Sequence, residues 1–253
     1  MCTYAVEAGG EMGASYVEAR VVSRKRESYS LRNGTLLSAG YRETRGMGIR
    51  VIANGSLAFF STIRLDRPSV RDAVRQAVRL ARSVKRRRPV ELSEEDVHQD
   101  RWRTPVKKPF LEVDEDEKLS FLRELDSRIR QISPKVVLRR FSLEMTVEDK
   151  TLVTSEGAKI EGSSSLFSLA TTVQVSGNER SEQRRMGIGG SGGWEWASDE
   201  TIDRVVRDAE ATVDVVQRAR TFKPGKMDVV IGSEVAGIIA HENCGHPSEG
   251  DRI

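Results

Sequence analysis

The chain predicts an α+β fold, an antiparallel or mixed sheet packed with helices and ending in a helix that carries a metal motif. Three observations predict it. Alternating apolar and polar stretches are separated by Asn33-Gly34 and Asn54-Gly55, the dipeptides that tight hairpins prefer. Apolar residues recur at three-and-four spacing over Val70 to Ala81 and Ile202 to Val216, the period of an amphipathic helix. Near the end, His241-Glu242-Asn243-Cys244-Gly245-His246 places two of three histidines around a glutamate.

In chain order, a short helix is expected over Thr3 to Met12. A strand follows over Tyr16 to Ser30, with a break in its basic run Arg24-Lys25-Arg26. Strands over Leu36 to Glu43, Gly46 to Ala53 and Leu57 to Thr62 would complete a meander of four or five strands. The helix Pro68 to Lys85 covers one apolar face of that meander, because a sheet bare on both sides would leave its Val and Ile unburied. Lys85-Arg86-Arg87-Arg88 ends this helix, where cations complement the dipole.

Arg88 to Phe110, with Pro89, Pro105 and Pro109, reads as a long connection, and His98 within it as an ordinary exposed histidine. Asp114 to Gln131 returns to helical spacing, with Asp114, Glu115 and Asp116 at its positive end. Val136 to Val175 alternates again and reads as strands of a second layer or an extension of the first sheet. Five glycines between Gly187 and Gly193 make Ser176 to Trp194 a flexible loop; without the Lys-Ser/Thr ending of a P-loop it is no phosphate cradle. Asp199 to Arg220 is a helix. Met227 to Ile231 is a short buried strand, and Ser233 caps a helix Glu234 to Gly245, anchored in the core by Val235, Ile238 and Ile239. Two domains are expected, residues 1–220 and the start of a second at 221–253.

Composition excludes several classes. Apolar residues at 38% and charged residues at 31% describe a folded chain rather than a disordered one. No apolar stretch is long enough to span a bilayer. Met1 to Gly13 lacks the basic and apolar regions of a secretory signal, and two cysteines form no disulfide framework; cytoplasmic residence is the expectation. A net charge of +3, from 41 basic and 38 acidic residues, argues against nucleic acid as partner.

The histidine motif reads as a metal site with a built-in base. Imidazoles suit Zn²⁺, and a neighbouring carboxylate can take a proton from a water that the metal acidifies toward a pKa of about 7. His241 and His246 are the candidate ligands and Glu242 the candidate base. Their spacing is one residue wider than that of the familiar zinc-peptidase helix. At about 100° per residue a regular helix would aim imidazoles five apart some 140° from one another. Gly245, which loosens the turn, and Pro247, which opposes α-conformation at His246, therefore predict a helix that ends or bulges between Cys244 and Pro247, a π-like turn bringing the two rings into register. Cys244 reads as a small buried hydrophobe rather than a ligand. Glu249 and Asp251 are candidates for an outer shell orienting the imidazoles, or else solvated acids.

Around the motif, His241-Glu242-x-x-Gly245-His246-x-x-Glu249-x-Asp251 follows Pro224-Gly225-Lys226 and a Val-rich segment. With Gly46-Met47-Gly48-Ile49-Arg50-Val51, Ala58-Phe59-Phe60-Ser61-Thr62, Ser155-Glu156-Gly157 and Gly187-Ile188-Gly189-Gly190, it resembles the TldD/PmbA family. PmbA-type members generally lack the histidine motif, so the resemblance is to the TldD side. It implies zinc-dependent proteolysis of unstructured peptides or small labile proteins, and a homodimer or a heterodimer with a PmbA-type partner. It also implies a further domain beyond residue 253 that supplies a cysteine as third zinc ligand, so that the chain is a truncated N-terminal portion. The alternative is a non-catalytic binding or assembly module of the same family.

Overall fold

The structure is a computed structural model that describes residues 1–177, 181–218, 220 and 223–250. Two compact units divide it, Met1–Arg218 and Ala219–Ile253.

The larger unit is built on a seven-stranded sheet. α1 (Cys2–Glu11) leads into β1 (Tyr16–Arg32), β2 (Thr35–Ala53) and β3 (Ser56–Thr62), followed by α2 (Arg67–Ser83). The edge strand β4 (Gln99–Arg103) precedes α3 (Glu115–Ile132), and β5 (Val136–Thr154), β6 (Lys159–Ser176), β7 (Ser181–Ser191) and α4 (Asp199–Arg218) complete it. The strand order is β3-β2-β1-β5-β6-β4, with β7 also on β6, and every pairing is antiparallel except β4 with β6. The α+β class read from the sequence is the architecture observed.

Both hairpin signals form the turns they predict. Asn33 (φ 48°) with Gly34 (φ 81°), and Asn54 (φ 52°) with Gly55 (φ 70°), put two successive residues at positive φ, the geometry that matches the right-handed twist of the flanking strands. The first tip is also tied to β5: Asn33 Oδ1 accepts from the Arg139 amide at 2.8 Å, and Asn33 N donates to the Arg139 carbonyl at 2.9 Å.

Alternation places one set of side chains under the helices. Val17, Ala19, Met47, Ile49, Val51 and Ala53 pack with Val70, Val74, Ala77 and Ala81 of α2 and with Ala5 and Ala8 of α1. Further along the sheet, Tyr29, Leu31, Phe141, Leu143, Met145, Phe167 and Leu169 pack with α3 and α4 through Leu122, Leu125, Ile129, Ile202, Val205 and Ala209. The unit thus has two apolar cores strung along shared strands. On β1 the intervening even positions, among them Glu18, Arg20 and Arg24, belong to the other face, a common arrangement for an antiparallel sheet.

Several expectations are corrected. β1 runs unbroken through Arg24-Lys25-Arg26, because β5 supplies carboxylates across the strand: Glu148 pairs with Arg24 and Glu144 with Arg26. β2 is one strand of 19 residues, its Glu43 in register with Lys25. The connection 88–110 contains β4, whose Trp102 lies opposite Gly162; a Cβ there would lie 2.5 Å from the indole, so glycine is what lets the ring cover β6. The glycine-rich segment is the strand β7, not a loop. Gly189 faces the carbonyl of Phe167 too closely for any Cβ, and Gly190 makes room for Trp196, which stacks on Phe167 with centroids 6.4 Å apart. Here glycine permits close approach of neighbouring groups rather than freedom of backbone.

Two phenols, Tyr29 buried and Tyr16 half-buried, set an alkaline limit. Burial first, then the adjacent carboxylates, Glu18 for Tyr16 and Glu27 for Tyr29, push each hydroxyl up to about 12 from an ordinary value of 10. A raised acid pKa in the fold means the neutral phenol is favoured there. The stabilisation is complete below pH 10, where the unfolded chain also keeps its phenols neutral, and is lost as pH rises from 10 through 12. Urea unfolding across that range should therefore show stability falling with pH, and the double variant Tyr16→Phe/Tyr29→Phe should show a shallower fall.

Candidate metal centre

In the second unit, α5 (Ser233–Ala240) begins at a cap residue, Gly232, in extended backbone with φ −70° and ψ 161°. Ser233 is thus the first helical residue rather than the cap, and no side chain bonds the free amides. Met227 to Ile231 forms no strand. A strand draws its hydrogen bonds from a neighbour, and among the described residues none is beside this segment, whose Val229 and Val230 are 71% and 99% exposed. Val235, Ile238 and Ile239 are likewise exposed, so they do not anchor α5 in a core.

The π turn appears where the motif lies. His241–Gly245 is a π-helical turn, closed by the His246 amide donating to the His241 carbonyl, and His246–Ser248 continues as a 3₁₀ turn. Its cause is more Pro247 than Gly245. Gly245 has φ −64° and ψ −63°, a conformation open to any residue, and a Cβ there would make only ordinary contact with the His241 ring. Pro247 has no amide to donate and its ring would strike the carbonyl four residues back in an α-helix; a wider turn relieves both. Side chains satisfy carbonyls along the distorted stretch: Asn243 Nδ2 donates to Ile239 O at 2.9 Å and Ser248 Oγ to Cys244 O at 2.7 Å.

The widened turn brings together the three residues that the sequence singled out. One ligand atom from each of His241, Glu242 and His246 lies within 4.8 Å of the others, and the imidazoles meet edge to face with centroids 4.5 Å apart. Glu242 Oε2 is 4.0 Å from His246 Nε2. On its other side His246 Nδ1 is 2.7 Å from Glu249 Oε1. Asp251 lies outside the described residues. Cys244 is exposed rather than buried, because the wide turn carries it on a solvent-facing surface, and it is not among the clustered donors. His98 is exposed and, among the described residues, is no part of a metal-type cluster. Two imidazoles beside a carboxylate are a donor set that fits Zn²⁺.

A groove of about 740 Å³ lies elsewhere, on the open face of β1 to β3, with Arg20, Arg45, Gly48 and Phe59 in its lining. Sequence reasoning did not single it out, since its lining comes from three strands and becomes one surface only once they pair.

Residues 17–81 match the family model described as PmbA/TldA metallopeptidase domain 1, and residues 108–219 match that of the PmbA/TldA metallopeptidase central domain, together more than half of the chain. The chain belongs to the PmbA/TldD metallopeptidase family. Both matched spans end before the histidine motif. Among curated relatives, the Metalloprotease TldD homolog of Haemophilus influenzae is 24% identical over 231 residues, 89% of this chain and 48% of that protein. The TldD homolog of Buchnera aphidicola is 24% identical over 99% of this chain and 51% of its own length. An Archaeoglobus fulgidus metalloprotease is 26% identical over 88% of this chain and 49% of its own. The chain spans about half the length of the curated relatives it matches. Among solved structures, TldE from Thermococcus kodakarensis shares the fold with a TM-score of 0.62 at 16% identity, over 83% of this chain and 46% of that one. A Bacteroides thetaiotaomicron protein described as a candidate modulator of DNA gyrase does so with a TM-score of 0.65 at 14% identity, over 81% and 48%.

Proposed function

We propose that this PmbA/TldD-family chain carries the metal-binding motif of a zinc-dependent peptidase of the TldD type. One observation carries the reading: the π turn that converges His241, Glu242 and His246 on a common point. His241 and His246 hold the zinc. When bound, zinc supplies a Lewis acid that polarises the peptide carbonyl and acidifies water. Glu242 removes the proton of the attacking water and delivers it to the leaving amine nitrogen, a role open to its exposed carboxylate, whose Oε2 lies 4.0 Å from His246 Nε2. A third protein ligand, which catalytic zinc ordinarily requires, comes on this reading from a cysteine beyond residue 253.

Residues 1–220 then form the N-terminal α+β domain and 221–253 the start of the catalytic one. The substrate class is unstructured peptide or small labile protein, and the partner a second copy or a PmbA-type protein. Two free cysteines suit a reducing cytoplasm. Among the described residues no helix is long and apolar enough to cross a membrane.

A second reading, a non-catalytic assembly module, draws on the exposed apolar segment Met227 to Ile231, a surface suited to a partner. Zinc content separates the two. On the peptidase reading, protein purified without added zinc holds about one equivalent by mass spectrometry, and either His241→Ala or His246→Ala weakens zinc affinity by roughly a hundredfold or more, beyond what outer-shell changes cost. Absence of zinc together with absence of peptide cleavage would leave the assembly module.

A further inference from the structure

We propose that Glu249 is a positioning residue that sets the tautomer and ring orientation of His246, so that Nε2 is the nitrogen presented to the metal; the role rests on the zinc reading above.

The contact is specific. His246 Nδ1 and Glu249 Oε1 are 2.7 Å apart, a short distance for this kind of pair. An ionised carboxylate has no proton to donate, so in a neutral imidazole the proton lies on Nδ1 and the lone pair on Nε2. Nε2 is the nitrogen 4.0 Å from Glu242 Oε2, on the side where the donors converge. The opposite tautomer would leave Nδ1 facing a carboxylate with no proton between them and put hydrogen where the metal must bind.

Backbone geometry holds the carboxylate in place. The 3₁₀ turn His246–Ser248 brings residue 249 back over residue 246, and the Glu249 amide donates to the His246 carbonyl at 3.2 Å. Ser248 Oγ pins the same turn to Cys244 O. His241 has no such device: among the described residues no side chain bonds its ring nitrogens. Glu249 therefore acts on one ligand of the pair. With its side chain 45% exposed and that of His246 36% exposed, the pair contributes little to folding, so a loss of function on removing it cannot be put down to unfolding.

The test uses the full chain and zinc alone. Two quantities are measured for wild type, Glu249→Gln and Glu249→Ala: zinc affinity by competition with a chromogenic chelator, and the His246 ring tautomer by ¹⁵N NMR of metal-free protein at mildly alkaline pH. Wild type should show Nδ1–H. Glu249→Ala should move His246 toward the Nε2–H form and weaken zinc binding by about 10- to 100-fold, with the thermal midpoint unmoved. Glu249→Gln, whose amide oxygen still accepts from Nδ1–H, should fall between. An unchanged tautomer in Glu249→Ala, or affinity within about twofold of wild type, overturns the proposal. A wild type that binds no zinc sinks the peptidase reading instead, while the tautomer in metal-free protein decides the part of Glu249 in either case.

Discussion

Replacing Asp126 with alanine is expected to destabilise the larger unit by about 3–5 kcal/mol, the cost of leaving a buried charge without its partner. Asp126 of α3 and Arg139 of β5 are 6% and 7% exposed and meet through two contacts, Nε to Oδ1 at 2.9 Å and Nη2 to Oδ2 at 3.4 Å. Apart from that carboxylate, among the described residues the guanidinium has only the Val136 carbonyl, at a long 3.5 Å. Alanine removes the acceptor but leaves the cation under the helix. The prediction has a second arm. Asp126→Leu/Arg139→Met replaces both charges by apolar groups of similar volume and is expected to recover most of the loss, since a buried pair and its hydrophobic replacement often come out even. Urea unfolding followed by circular dichroism measures both. Single and double variants equally destabilised would show that the site requires the ion pair itself.

The elements that the sequence disclosed are those whose cause is local. Asn-Gly dipeptides create their own positive-φ turns, and Val70 to Ala81 carries its helix in its period. The π turn belongs here too, because a proline missing its amide acts on the residues just before it. Elements that escaped depend on chain far away. Arg24 and Arg26 look like a break until β5, more than a hundred residues on, sets Glu148 and Glu144 against them. Glycines 189 and 190 look like a loop until β6 and Trp196 come close enough to need them. Met227 to Ile231 errs in the opposite sense: its composition suits a strand, but a strand also needs a neighbour. The candidate site was therefore legible as a set of residues and a local bend, whereas its surroundings were not.

Glu242→Gln is expected to lower peptide cleavage by about 10²- to 10⁴-fold, the usual contribution of a general base, or roughly 3–5 kcal/mol of barrier, while zinc content stays at the wild-type level. The second half of that statement decides the role. Glu242 lies in the same 4.8 Å cluster as both histidines, so its carboxylate could serve as base or as ligand. Glutamine keeps the size and an acceptor oxygen but cannot take a proton. A base replaced in this way leaves the metal in place and removes only the proton transfer, so turnover falls and affinity does not. A ligand replaced in this way costs both. Cleavage of a denatured protein substrate, read beside zinc content of the same preparation, separates them. His246→Ala is the control that loses metal and cleavage together. Loss of zinc from Glu242→Gln would make the carboxylate a third ligand, and the proton acceptor would have to be sought elsewhere in the catalytic half.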